Sequence, residues 1–441
     1  MKSTRDTTDP GKVVQMQREW EREVEAHIAM RDAQHKNIIE FIVAVERGHE
    51  RYLMFRWAEE GNLRNFWTKN SRPVLAATLV KDAVDQIVGL ADALHKLHTG
   101  NYKTGGESFR HGDLKPENIL CVTIKPPEPD QVNIPELKIS DMGLAKHHNV
   151  ATELRPPTSM RYTTTRYEPP ETVSSVDAIG RSRRYDMWSL GCVILETIIW
   201  LLHGSEVLQN FNDRIVDDVG QKSHWFEFKV KRAGQRERGK VAVVHHHVRG
   251  IMRALRKDQE CAPGTAMGDL LEIVQEKLLV VKLGVATIRN EGSPKSSPGC
   301  RIYSEELLDC LHEMISKGEK DESYWFTGKA RERIKQLEAI PDLDPESPIE
   351  HDMLSPQEAL ALGKRGIPIH IQVPERPLRL AVQQPISLLV PSTNEPLKTR
   401  RVSRFRDLAP GRHANMNCRM YVLSPNTQQI QASNPGSARD S

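Results

Sequence analysis

Apolar residues recur at helical spacing in several stretches of the chain. Between 79 and 98 they stand at Val80, Val84, Ile87, Ala91, Leu94 and Leu97, steps of three and four that fall on one side of a 3.6-residue helix. Residues 17 to 34 place Trp20, Val24, Ile28 and Met30 among Glu, Arg and Ala, which predicts an amphipathic helix. The run DMWSLGCVILETIIWLL at 186 to 202 is apolar almost all round its circumference. Such a helix belongs in the middle of a domain. Further helices are expected over 267 to 281 and 303 to 316. Two β-like runs, IIEFIVAVERG and RYLMFRWA, flank a charged turn, and ENILCVTI is joined to ELKISD by the Pro-rich KPPEPDQVNIP, a hairpin with an enlarged loop. Beyond about residue 330 Pro, Ser, Asn and Gln dominate, so the tail reads as disordered, with a small basic cluster in TRRVSRFR.

Composition narrows this picture. The 441 residues allow two or three domains. Charge is nearly balanced, 62 basic against 59 acidic residues, so no global field draws the protein to nucleic acid or lipid. The basic stretch 229 to 240 reads first as a solvated insert, with nucleic-acid binding the lesser reading. Six cysteines lack ligand-like spacing, which points to reduced thiols in the cytosol or nucleus. The N-terminus has no apolar signal region, and the longest apolar stretch is 14 residues with Glu196 inside it, so no membrane span is expected. His245 to His247 and the pair His147–His148 look ligand-like, but without a second cluster at metal spacing zinc is not assigned.

The string HGDLKPENIL at 111 to 120 carries the candidate chemistry. Asp113 can accept a proton, Lys115 can neutralise a phosphate, and Asn118 can ligate a hard cation through its side-chain oxygen. In ISDMGLA, Asp141 follows a strand and precedes Gly143, adding a second oxygen ligand in a tight turn. Two such donors suit Mg²⁺, which takes its remaining ligands from water and phosphate. The set is a phosphoryl-transfer constellation.

Here the sequence resembles the eukaryotic protein kinases of Ser/Thr type. HGDLKPEN corresponds to the family's H-R-D-x-K-x-x-N, DMG to D-F-G, YEPPE at 167 to 171 to A-P-E, and YDMWSLGC at 185 to 192 to the central helix. The wording of these segments, with MFRWAEEGNLRNFW, is most similar to the expanded kinase families of filamentous fungi. The resemblance covers roughly residues 17 to 316. It implies an α+β, bilobal fold: a small β-rich lobe over 1 to 56, a mainly helical large lobe over 57 to 318, and a disordered tail over 319 to 441.

The resemblance also implies roles. Asp113 would be the catalytic base, Lys115 would contact the γ-phosphate of ATP, and Asn118 and Asp141 would hold Mg²⁺. Thr164 would line the phosphoacceptor site, Glu171 would pair with a late arginine for which Arg301 is the candidate, and Asp186 would cap the catalytic-loop backbone. Glu23 would be the helix glutamate that meets a strand lysine, with Glu21 and Glu25 on the same helix. Lys2, 21 positions earlier, has a compatible spacing for that lysine. Phe55 falls at the gatekeeper position, and Arg56, Trp57 and Ala58 at the adenine-binding hinge. The implied function is ATP- and Mg-dependent phosphorylation of Ser or Thr on a protein substrate, with no membrane partner. The alternative is a catalytically impaired pseudokinase serving as a scaffold.

Three positions depart from the family pattern. Gly112 replaces the arginine before the base, Met142 replaces the phenylalanine of D-F-G, and no G-x-G-x-x-G precedes Glu23. The last departure leads to the expectation that the small lobe lacks its first two strands.

Overall fold

The computed structural model describes residues 10–47, 50–99, 110–123, 132–141, 166–172, 183–217, 220–230, 240–284, 287–288 and 294–330. Lys2, Met142, His147, His148, Thr164, and the tail from 331 with its TRRVSRFR cluster lie outside these residues. The chain divides into two compact units.

The smaller unit, in its described part, is the hairpin of residues 39–57. Strands β1 (Phe41–Arg47) and β2 (Glu50–Phe55) pair antiparallel from Phe41↔Phe55 to Arg47↔Glu50, with a register shift between Phe41 and Val43. The Phe41 and Phe55 rings meet at 5.7 Å and 58°. The backbone N–H of Arg56 donates to the Glu40 carbonyl at 3.0 Å and carries the pairing past the last strand residue.

The larger unit holds the described residues of 10–38 and 58–330. Its centre is α4 (Arg184–His203), in which every residue is buried. A helix apolar on all sides gains from cover on all sides, each buried Leu or Ile contributing about 1.5–3 kcal/mol. That cover comes from α3 (Ala77–Thr99), α5 (Ser205–Arg214), and α7 (Ala266–Ile273) with its continuing π-helical turn Val274–Leu278. By length and composition α4 could cross a bilayer, but here it is the core of the unit. Against α3 lies α8 (Ser304–Lys320), and α2 (Leu63–Lys69) starts at a capping box between Asn62 and Asn65. Strands β3 (Ile119–Val122) and β4 (Glu136–Ile139) form the expected hairpin around the Pro-rich connection.

Helix α1 (Pro10–Ala33) belongs to the larger unit, whereas the sequence reading grouped it with the strands of 1 to 56. The residues just after α1 give the physical reason. Asn37 donates from Nδ2 to the Leu137 carbonyl and accepts from the Ile139 N–H, both at 2.8 Å, and His35 Nε2 meets Asp92 Oδ2 at 2.9 Å. These bonds stitch the end of α1 to β4 and α3.

Of the basic stretch 229 to 240, residues 231–239 lie outside the described residues, and strands flank it on either side. Strands β5 (Phe226–Val230) and β6 (Lys240–Val244) pair antiparallel and lead into α6 (His246–Leu255). Trp225, Phe226 and Ala242 are buried at the root of this hairpin, and Trp225 packs edge-on against Phe211 at 5.3 Å. The two-residue pairing of Thr287–Ile288 with Pro294–Lys295 makes β7 and β8.

Past α8 the chain is fastened once more. Glu260, 1% exposed, accepts from the Thr327 N–H (2.9 Å), the Thr327 hydroxyl (2.7 Å) and the Gly328 N–H (3.2 Å).

The Asn37 junction is testable at Gly89 on α3. A Cβ added there would lie 2.4 Å from Asn37 Oδ1, so Gly89→Ala should destabilise the protein by about 1–3 kcal/mol. That sign opposes the usual helix gain of Gly→Ala, and chemical denaturation of the two proteins measures it.

Candidate active site

The segment 111–118 runs from the end of α3 toward β3 and closes with a 3₁₀ turn, Pro116–Asn118, where proline suits the first turn position. Its side chains converge on Asp113. The Asp113 Oδ2 accepts from Lys115 Nζ at 2.9 Å and from Asn118 Nδ2 at 3.1 Å, and the same Nδ2 donates to the Asp113 carbonyl at 2.8 Å. Asp113 is 6% exposed, and burial pushes its carboxyl above the usual range against the pull of Lys115. Burial would lower Lys115, but the Asp113 charge and hydrogen bond more than reverse this, so the ammonium stays charged.

His111 ties this segment to the neighbouring turn. Its Nδ1 accepts from the Asp113 N–H at 3.2 Å and its Nε2 donates to the Ser140 carbonyl at 2.9 Å, the tautomer that satisfies both bonds. Ser140 in return donates its N–H and its hydroxyl to the Asn118 carbonyl, each at 2.9 Å. Asp141, the next residue, takes φ +60°, a left-handed conformation that aspartate tolerates better than most residues. Its charge raises the Asp113 carboxyl, which places the two acids in one field.

Asp186, in the first turn of α4, has no exposed surface. It accepts from the His111 N–H (2.9 Å), the Gly112 N–H (2.8 Å) and His98 Nε2 (2.7 Å). Burial alone would raise this carboxyl, yet the His98 hydrogen bond and the positive neighbours hold it below the usual range. Directly after the second captured amide the backbone turns through φ +78° at Gly112, a conformation glycine adopts without the Cβ penalty an arginine would meet.

The structure brings Glu171 and Arg301 together. Arg301, fully buried, donates from Nη1 to Glu171 Oε1 at 2.6 Å and from Nη2 to Oε2 at 3.1 Å, with its Nε on the Val280 carbonyl at 2.9 Å. This two-pronged pair fixes the 3₁₀ turn Pro170–Thr172 to the segment before α8.

Glu196 had no role in the sequence reading. It lies mid-helix in α4 with 0% exposure and accepts from Arg64 (3.0 Å), Tyr167 (3.0 Å) and Asn212 (2.7 Å). Arg64 also reaches Glu117 of the catalytic loop at 3.1 Å. Burial works against the Arg64 guanidinium, but the charges of Glu196, Tyr167 and Glu117 with the Glu196 hydrogen bond together push it up and keep it protonated, and burial pushes the Tyr167 phenol far above its usual value. The available signal was one carboxylate in an apolar helix, since a buried charge requires partners.

Glu23 lies on α1 with its carboxyl pushed up to about 7, by burial first and then by Asp141. Among the described residues no cation pairs with it. His27, one turn on, is held down to about 4 by burial and by His111. Trp20, His27 and Met30, all buried, mark the inner side of this helix. Of the expected hinge, Phe55, Arg56 and Trp57 stand in the hairpin unit, where Arg56 faces Glu40 at 3.9 Å, and Ala58 begins the next stretch of the larger unit.

The donor set fits Mg²⁺. Asn118 commits its amide nitrogen to Asp113, which leaves Oδ1 for a cation, and Asp141 adds carboxylate oxygens in the same field. An all-oxygen set of this charge suits a hard dication bound together with phosphates.

Two outcomes follow from these buried charges. Glu196→Ala leaves Arg64 with Glu117 as its remaining carboxylate and takes the shared acceptor from Tyr167 and Asn212, so it should cost about 3–5 kcal/mol in equilibrium unfolding. For Asp186 the folded value lies below that of the unfolded chain, so its contribution is present above about pH 3.9 and is lost as pH falls through the folded value. The stability gap between the natural protein and Asp186→Asn should therefore be widest near neutrality and close on acidification, as followed by thermal unfolding at stepped pH.

Comparison with known proteins agrees with the geometry. The family model described as the protein kinase domain matches residues 7–319. A probable serine/threonine-protein kinase of Dictyostelium discoideum is 27% identical over 168 residues, 38% of this chain and 27% of that protein. Serine/threonine-protein kinase ICK of Rattus norvegicus is 27% identical over 169 residues, 38% of this chain and 22% of that protein. Myosin light chain kinase 2, skeletal/cardiac muscle, of Mus musculus is 31% identical over 165 residues, 37% and 22%. The matches span about a quarter of the length of these relatives. An aspartate, a lysine and an asparagine locked in one loop, a second acid in the same field and a match over most of the chain lead to one assignment: the chain belongs to the eukaryotic protein kinase superfamily.

Proposed function

We propose that this chain transfers the γ-phosphoryl group of ATP, with Mg²⁺, to serine or threonine hydroxyls of protein substrates. The observation that carries this reading is the Asp113 carboxylate, held by Lys115 and Asn118 and anchored through His111 and Gly112 to Asp186. A bound Mg²⁺, held by Asn118 Oδ1 and Asp141, would neutralise the phosphate oxygens. Asp113 orients the acceptor hydroxyl and takes its proton, and burial makes its carboxylate a stronger base than one in water. Lys115, charged and already beside Asp113, sits where it can meet the transferring phosphate. A lysine two residues after the base favours Ser/Thr over tyrosine. Five free cysteines among the described residues favour a reducing compartment, the cytosol or nucleus.

A second reading, a binding module of low activity, draws on Glu23. Among the described residues its charged neighbour is Asp141 rather than a lysine, so the helix that would position ATP carries an acid in the field of another acid.

The two readings separate by experiment. Incubation with Mg·ATP and a mixed-sequence protein substrate should yield phosphoserine and phosphothreonine, with Asp113→Asn reducing the rate by about 10²–10⁴-fold. Asp141→Ala should abolish the Mg²⁺-dependent thermal shift by ATP. A natural protein that shows neither transfer nor shift overturns the catalytic reading and leaves the binding module.

A further inference from the structure

The β5–β6 hairpin and the start of α6 bring together three metal-ligating side chains far from the phosphoryl-transfer residues in sequence. We propose that Glu227, His245 and His246 form a binding site for a divalent transition metal of the zinc class. Their ligand atoms lie within 4.8 Å of one another. Glu227 is on β5 opposite Val243 of β6, and two residues further on the chain reaches His245, so strand register sets the carboxylate beside the imidazoles. The backbone N–H of His245 donates to the Trp225 carbonyl at 2.9 Å and fixes the turn that presents both rings.

The hydrogen bonds around the three residues are those of an organised site. His245 Nε2 lies 3.1 Å from the Val216 carbonyl. An imidazole that donates one ring N–H to a carbonyl turns the other nitrogen's lone pair to the metal. That other nitrogen, Nδ1, holds only the His247 N–H at 3.3 Å, beyond ordinary N–H···N optimum and easily surrendered. His246 Nδ1 and Glu227 Oε2 share a proton across 2.6 Å. A metal ion takes that proton's place: the bound ring is the neutral imidazole with its proton on Nε2, so the Nδ1 proton either moves to Nε2 through solvent or, from a doubly protonated ring, is released, and both Nδ1 and Oε2 bind the ion. The other carboxylate oxygen, Oε1, faces Arg249 at 3.6 Å and Lys229 at 3.7 Å, which hold Glu227 without occupying Oε2.

Ligand chemistry sets the class of ion. Two imidazoles and one carboxylate match Zn²⁺, which binds nitrogen and oxygen at about 2.0–2.2 Å and readily takes water as a fourth ligand. Mg²⁺ demands an octahedron of oxygens and is not favoured here, so the ion used for phosphoryl transfer does not compete. His245 is buried and His246 is about half exposed, which gives the ion a route from solvent to a fixed inner ligand. The bound ion would clip the hairpin to α6. Trp225, directly before β5, packs on Tyr167 at 6.2 Å, so the clip braces the hairpin root that backs the 167–171 segment.

The test uses the full chain made without a histidine tag and stripped with a chelator. Titration with Co²⁺ alone should give a visible absorption band saturating at one ion per chain, displaced by Zn²⁺, and Zn²⁺ alone should bind more tightly than about 10 µM and raise the unfolding temperature. His246→Ala and Glu227→Gln should each weaken binding by at least about tenfold, while His247→Ala stays within about threefold of the natural protein. His246 is the decisive position, since its exposure makes an alanine tolerable to the fold, and an unchanged metal-free unfolding temperature confirms that. Absence of a Co²⁺ band, or His246→Ala binding as tightly as the natural protein, overturns the proposal and assigns any bound ion to other histidines.

Discussion

The segment 111–118 depends on one carboxylate that touches no solvent. Asp186 takes two consecutive backbone amides, those of His111 and Gly112, and an imidazole, that of His98. Three donors on two oxygens leave the ion fully satisfied, which is what lets a charge persist at that depth. Because the captured amides lie immediately before Asp113, that carboxylate inherits its position from the core helix as well as from its own segment. The backbone turns left-handed at Gly112, directly after the two captured amides.

Helix α4 serves as more than hydrophobic filling. Asp186 near its start and Glu196 ten residues on are charges embedded in an otherwise apolar rod, and each draws polar partners from a different part of the unit. Asp186 reaches the catalytic loop and α3. Glu196 reaches α2, α5 and Tyr167. Arg301 brings a third buried charge to the same helix, lying over the Trp188 ring at 4.9 Å while it clamps Glu171. Low polarity around these groups strengthens each bond and makes each missing partner costly. Local geometry near Asp113 is therefore set by a few long-range contacts together with the short-range bonds of His111, Lys115 and Asn118.

Much of this was legible in the sequence where periodicity and motif agree. The spacing of Val80 through Leu97 gave α3, the Pro-rich connection gave the β3–β4 hairpin, and HGDLKPEN gave the trio that the structure gathers at Asp113. Glu171 and Arg301 could be paired only through the family pattern, since 130 residues separate them. What stayed hidden has physical causes. The alternation Phe226, Phe228, Val230 was masked by the basic composition that follows it, so the pairing of β5 with β6 was not read from the sequence. His27 looked like any helix histidine, because its neighbour His111 is distant in sequence. Glu227 could not be grouped with His245 and His246 without the hairpin register.

The Glu260 contacts bear on where the folded unit stops. The family match closes at 319, within the last turn of α8, yet a buried carboxylate still waits for three donors from Thr327 and Gly328. Trp325 also packs so closely on Gly318 that a Cβ there would fall 2.1 Å from the indole. The boundary of the independent folding unit is thus electrostatic as well as helical. A shortened protein that ends with the helix would strip an interior anion of its ligands, and one that keeps the next ten residues would not.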